Sequence, residues 1–233
     1  MAWDNVLWVA LLTGLIGLAV LIALWPGAKH GKRLLERWGV PDPDDAEVGL
    51  AVRYLTRRRF WYPALFLVIP PALGDGTAGT IVTTLMLGGL IAELLALRPS
   101  RGLRREAVLA RRTLLDLVPA WALVLSGLAV AGSLVGLGVT GRWTLLAVSA
   151  GAAIVSWTIV LLALRRPVDG EPRADLALRR RSARVAIGLG IATCAAIGGG
   201  GPVQNLGSFL AVVAGVAAFL AIVAPIGRQP ASA

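Results

Sequence analysis

Glu93 is the side chain in this sequence with most claim to chemistry. It is the one acid well inside an apolar run, five residues before Arg98. A carboxylate at membrane depth is costly, so it is by default a candidate proton or cation site. It also lies about one helical turn from the basic end of its run. There it can pair with Arg98 or with an arginine of a neighbouring segment, and such an ion pair is the expected role. Asp116 follows Arg111 and Arg112 at the start of another run. An acid at a helix N-terminus is stabilised by the macrodipole, so a structural role is expected there too.

The remaining candidates are weaker. Asp42-x-Asp44-Asp45 has the oxygen ligands of a divalent-cation cluster, yet the flanking prolines favour a turn and helix N-cap. His30 is the single histidine and has no acid or nucleophile spaced to work with it. Cys194 is the only cysteine, which excludes an intrachain disulfide and a thiolate metal cluster. Asp75 sits in a Gly-Asp-Gly turn that explains it. The glycines 198–201 before Pro202 lack the Lys and Ser/Thr of a phosphate-binding loop. Paired-histidine, serine-elbow and dense aspartate motifs are missing as well. Neither catalysis nor a bound cofactor or metal is expected.

The cations form groups. Arg57, Arg58 and Arg59, then Arg104 and Arg105, Arg111 and Arg112, and Arg179, Arg180 and Arg181 are expected to make a positive rim. Each basic residue near an anionic surface is worth about 1 kcal/mol, so phospholipid headgroups are the expected partner. Docking of an acidic protein is the competing use.

The elements that position these residues are long apolar runs. Hydrophobic residues make up 57% of the 233, charged residues 15%, and mean hydropathy is +0.75. Soluble domains run at roughly 45–50% and 25%. An all-α transmembrane bundle in one integral membrane domain, 1–233, is therefore expected. Its seven spans fall at about 6–25, 61–73, 80–97, 117–139, 143–164, 185–199 and 206–226. The first has neither a basic leader nor a cleavage site and is expected to be retained. The spans at 61 and 185 are short and must recruit the residues before them, with arginine stems snorkelling.

Lysine and arginine set the orientation. Of 23 basic residues, 22 fall in 26–60, 98–116, 165–184 and the C-terminal segment, and only Arg142 on the opposite side. That split places the N-terminus outside and the C-terminus in the cytoplasm. Six of the eight tryptophans, Trp3, Trp8, Trp25, Trp61, Trp121 and Trp143, lie near span ends, where the headgroup level suits them, and Trp157 is expected to be packing. The 21:2 ratio of Arg to Lys, with much Ala, Gly and Leu, reads as a GC-rich bacterial genome. The cell inner membrane is the expected location. A net charge of +10 would suggest nucleic acid in a soluble chain; here its placement between apolar runs assigns it to lipid.

Segment 26–60 is the largest non-spanning piece. Residues 29–38 interleave bases with Leu34, Leu35 and Trp38 and stop at Gly39, which predicts a short helix on the inner membrane surface. A second helix is predicted from Asp45 to Tyr62, running on into the membrane. Pro70-Pro71 should end the span that follows.

A repeat is also visible. Val52 and Val108, like Pro63 and Pro119, are offset by 56 residues, and Arg111-Arg112 and Arg179-Arg180 by 68. One leading helix plus three helical hairpins would result, a parallel repeat of the kind transporters use. Gly132-x-x-x-Gly136 and Gly188-x-Gly190 are candidate close-packing sites.

Three functions are compatible with these features. The expected one is a non-catalytic subunit or scaffold of a membrane or envelope complex, with a membrane-protein partner or a second copy of itself. The alternative is a small permease, in which Glu93 and the hydroxyls of Thr83, Thr84, Ser126 and Ser156 would line a cavity. A lipid-modifying enzyme would need convergent polar residues that the sequence lacks.

Overall fold

Backbone polar groups in an apolar solvent have to be satisfied within their own segment, which a helix does. The computed structural model describes residues 2–23, 25–73, 78–97, 113–165, 171–198 and 206–224, and contains ten helices and no strand among them. They are α1 (Ala2–Ala23), α2 (Ala28–Arg37), α3 (Asp45–Phe60), α4 (Tyr62–Leu73), α5 (Ala78–Ala96), α6 (Leu114–Leu117), α7 (Ala120–Val139), α8 (Trp143–Arg165), α9 (Pro172–Gly198) and α10 (Leu206–Val223). Each of the seven apolar runs falls on a helix. Among the described residues α7, α8 and α10 are long and apolar enough to cross a membrane, the mark of a membrane protein.

The surface supports that reading. Val124, Leu128, Val135, Val139, Ile154 and Leu220 all stand more than half exposed on α7, α8 and α10. Meanwhile Ser126, Ser133, Ser149 and Ser156 are buried. Large apolar side chains face outward and small polar ones inward, the reverse of a water-soluble fold. Trp8, Trp25, Trp121 and Trp143 are exposed, whereas Trp157 packs beside the core.

α9 is the axis of the structure. It packs against α10, α8, α7, α5, α3, α6 and α2, and almost all of its length is buried. Small residues let its neighbours close in. A Cβ added at Gly188 would lie 2.8 Å from Phe219 Cδ2 of α10, and one at Gly190 would lie 2.7 Å from Ser156 Oγ of α8. The expected contact at Gly188-x-Gly190 is therefore present. Gly132 faces open space, and a Cβ added at Gly136 would meet only the Gly198 carbonyl of α9, at 3.9 Å, so of the α7 pair only Gly136 faces a neighbouring helix. Ser133 and Ser149 join α7 to α8 at 2.8 Å, with Cys194 Sγ of α9 a further 3.5 Å on.

The first half of α9 is buried because segment 26–60 folds onto it. Leu35, Trp38, Val40, Ala51, Tyr54 and Leu55 form one core with Ala96 of α5 and Ala174, Ala177 and Leu178 of α9. The expected membrane-surface helix thus turns its apolar side to protein: α2 lies on α3 and α9, with Leu35 fully buried. Gly31 permits the approach, since a Cβ there would sit 2.9 Å from Val52 Cγ2. Gly39 ends α2 with φ +86°, a conformation that favours glycine. α3 stops at Phe60, two residues before the predicted end, and a single helical residue, Trp61, joins it to α4. α4 ends at Leu73, two residues past Pro71.

Candidate functional site

Glu93 sits near the C-terminal end of α5 and is wholly buried. Tyr54 and Arg58 approach it from α3, four residues apart and so on one helical face. Arg181 and Ser182 approach from α9. The hydroxyls of Tyr54 and Ser182 both donate to Glu93 Oε1. Arg58 Nε stands 2.9 Å from Glu93 Oε2, an ion pair whose angle falls short of a hydrogen bond. Arg181 Nη1 lies 3.9 Å from the same oxygen, donates to the Tyr54 hydroxyl at 2.5 Å, and stacks over the Tyr54 ring at 5.2 Å.

Burial and the neighbouring charges act on Tyr54 and Arg58 together. Burial, opposed by Arg181 and reinforced by Glu93, holds the Tyr54 phenol well above its ordinary range, so it stays a donor. Burial by itself would lower the Arg58 guanidinium, but Glu93, Tyr62 and Tyr54 together outweigh it and raise the group above the usual arginine range. One carboxylate thus ties three helices, α3, α5 and α9. The cations beside Glu93 are Arg58 and Arg181; Arg98 lies outside the described residues.

Two further acid–base pairs extend the knot. Glu47 is buried and forms a reciprocal capping box with Asp44: each backbone N–H reaches the other's carboxylate, at 2.8 and 3.1 Å. Its carboxylate also accepts from Arg173 Nε and Nη2 at 3.1 and 3.2 Å. Asp175 and Arg179, one turn apart on α9 and both buried, pair at 2.6 Å. Asp42 is exposed, has φ +50° and faces Lys32 at 3.7 Å, so Asp42 and Asp44 do not converge on a cation. Among the described residues no group of three His, Cys, Asp or Glu could hold a metal ion.

The arginines of 179–181 are not arranged as an outward rim. Arg179 Nη1 donates to the Ala163 carbonyl in the last turn of α8. Arg180 Nε donates to the Asp116 carbonyl and Arg184 Nε to the Leu117 carbonyl at the end of α6. The last carbonyls of a helix lack an internal partner, and α9 supplies one to each of these ends. Arg58, Arg179 and Arg181 are turned inward because buried carboxylates and carbonyls compete for them more strongly than water does. Arg57 is exposed, and Arg59 and Arg180 are partly so. Arg111 and Arg112 lie outside the described residues, as does the 107–112 part of the proposed repeat.

Asp116 is an exposed cap. Its Oδ2 accepts from Thr113 N at 2.7 Å and from Thr113 Oγ1 at 3.0 Å, which holds its carboxyl below the usual range. It does not join Glu93. Of the hydroxyls expected to line a transport cavity, Ser156 instead donates to the Ala186 carbonyl at 2.8 Å and Ser126 is buried in the bundle.

Sequence reasoning overlooked Tyr54, Ser182, Glu47 and Arg173. The Asp44-x-x-Glu47 spacing of a capping box was available. Nothing local connects Tyr54 or Ser182 to Glu93, which are 39 and 89 residues away. No known protein family, curated protein or solved structure matches the chain.

Proposed function

We propose that this chain is a non-catalytic subunit or scaffold of a membrane or envelope complex in the bacterial cell inner membrane. On this reading it has seven spans, its N-terminus outside and its basic segments in the cytoplasm. The observation that carries the reading is the enclosure of Glu93 by Tyr54, Arg58, Arg181 and Ser182. A permease would present that carboxylate to a solute. Here its charge and both hydroxyl contacts are committed to holding helices together. The inward serines and glycines likewise serve helix packing, while large apolar side chains on α7, α8 and α10 are left outward for lipid or a partner.

The test is purification of the tagged chain from native membranes in mild detergent. A second membrane polypeptide, or a second copy, in fixed stoichiometry is the expected result. A 24.3 kDa chain that purifies alone and carries solute into vesicles, with transport abolished by Glu93→Gln, would instead establish the permease. Orientation is separately testable, because Cys194 is the only native cysteine. In a Cys194→Ala background, an impermeant maleimide should label Thr140→Cys and spare Arg33→Cys in intact cells; the opposite pattern inverts the topology.

A further inference from the structure

Where α2, α3 and α9 meet there is an open cleft of about 230 Å3, lined by His30, Arg33, Arg37, Arg59 and Arg181. Pockets for drug-sized ligands run to roughly 300–1,000 Å3, so this one suits a small group. Leu34 and Leu55 complete its wall, and among the described residues no acid lines it. Residues 30, 33 and 37 share one face of α2, since side chains three and four apart are neighbours. Arg59 comes from the last turn of α3 and Arg181 from α9.

Such a gathering of like charge opposes folding unless something answers it. Arg58 has Glu93, Arg173 has Glu47 and Arg180 has a helix carbonyl. Arg59 Nη1, by contrast, is buried with no hydrogen-bond partner. Burial, opposed by Tyr62 and reinforced by the neighbouring Arg58 and Arg181 charges, also holds the Arg59 guanidinium below its ordinary range. His30 Nδ1 accepts the Gly27 N–H at 3.3 Å, which leaves Nε2 as the ring's donor.

We propose that this cleft is a binding site for a phosphate group, held by the guanidinium forks of Arg33, Arg37 and Arg59. Planar guanidiniums match phosphate oxygens two at a time, which a diffuse basic surface does not. The phosphate can belong to the headgroup of an anionic phospholipid or to free phosphate, because both present anionic phosphate oxygens with no cation of their own. The phosphate of phosphatidylcholine, by contrast, is neutralised by its own quaternary ammonium. Arg181 lines the cleft and also contacts Tyr54 and Glu93, so an occupant would be electrostatically linked to the α3–α5–α9 knot.

The experiment uses the full chain in uncharged detergent and follows thermal unfolding while phosphatidylglycerol, phosphatidylcholine or inorganic phosphate is titrated at constant ionic strength. A ligand of the folded state stabilises it in proportion to the logarithm of its concentration over Kd. Arg33→Gln/Arg37→Gln is compared with Lys29→Gln/Arg53→Gln, which removes the same charge from exposed positions outside the cleft. The cleft variant should weaken anion binding at least about tenfold, as loss of one charge-assisted contact does, and the control should not. Arg59→Lys keeps the charge without the planar fork and should weaken binding as well. Stabilisation by phosphatidylglycerol alone supports the site and identifies a lipid source; stabilisation by inorganic phosphate, with or without the lipid, supports recognition of the phosphate itself. Equal effects of phosphatidylcholine and phosphatidylglycerol, no effect of either anion, equal losses in cleft and control variants, or wild-type affinity in both the cleft variant and Arg59→Lys would each overturn it.

Discussion

Replacing Glu93 by glutamine removes one negative charge and little volume, which isolates the ionic part of the α3–α5–α9 contact. The side chain is fully buried, with Arg58 Nε at 2.9 Å and Arg181 Nη1 at 3.9 Å. Losing one partner of a buried pair costs about 3–5 kcal/mol, because the other charge is left uncompensated. The Arg58 and Arg181 side chains keep 17% and 11% exposure, so each can turn partly toward solvent, and the low end, about 3 kcal/mol, applies. At about 2–4 °C per kcal/mol for a chain of this size, the midpoint of thermal unfolding should fall by about 6–12 °C. Tyr54→Phe removes one hydroxyl and leaves the charges paired, for a loss of about 1 kcal/mol. The assay is thermal unfolding in a single detergent, completed by the Glu93→Gln/Arg58→Gln double variant. Since the second change removes a charge the first has orphaned, the two losses should fall short of additive by about 1–3 kcal/mol. A Glu93→Gln loss no larger than that of Tyr54→Phe, or strict additivity with Arg58→Gln, would refute the ionic knot.

The other predictions are smaller. Asp44→Ala removes the α3 N-cap and should cost about 1 kcal/mol, with faster amide exchange confined to the first turn of α3. Asp116 is held below its ordinary carboxyl range by the Thr113 N–H and hydroxyl, so its contribution is present above the unfolded pKa. That contribution disappears as pH falls through the depressed folded pKa, and thermal unfolding of Asp116→Asn should lack this part of the acid sensitivity. Gly190→Ala places a Cβ 2.7 Å from Ser156 Oγ and should destabilise by about 1–3 kcal/mol. Gly132→Ala meets nothing within 4 Å and should be neutral or stabilising by up to about 1 kcal/mol, as judged by the same unfolding midpoint.

The sequence by itself determined the helices and the general setting of the charges. Runs of Leu, Ala and Val of this length have no other way to satisfy their backbone in an apolar medium, so the described part of each run is mainly helical. Val118 and Pro119 nevertheless interrupt 117–139, and only α7, α8 and α10 among the described helices are by themselves long and apolar enough to cross a membrane. Local spacing was sufficient for the turn and N-cap around Asp44 and for the Gly39 stop, whereas Asp116, expected to open the fourth span, instead closes a capping box with Thr113 on the separate turn α6. Local spacing was also enough to mark Glu93 as costly and in need of a cation.

Which cation it meets was decided by the tertiary structure. Among the described residues the Glu93 carboxylate meets side chains from α3 and α9, because Gly31 and the alanines of α9 let segment 26–60 pack against that end of the bundle; Arg98, the nearest in sequence, lies outside them. The same packing divided the arginines. Spacing cannot distinguish Arg179, which caps a carbonyl of α8, from Arg59, whose Nη1 has no partner, since the difference lies in which helix end or carboxylate comes within about 3 Å. Hydropathy is a property of a segment and survives without its neighbours. An ion pair or an arginine-lined cleft is a property of distances between segments, and exists only once the helices are assembled.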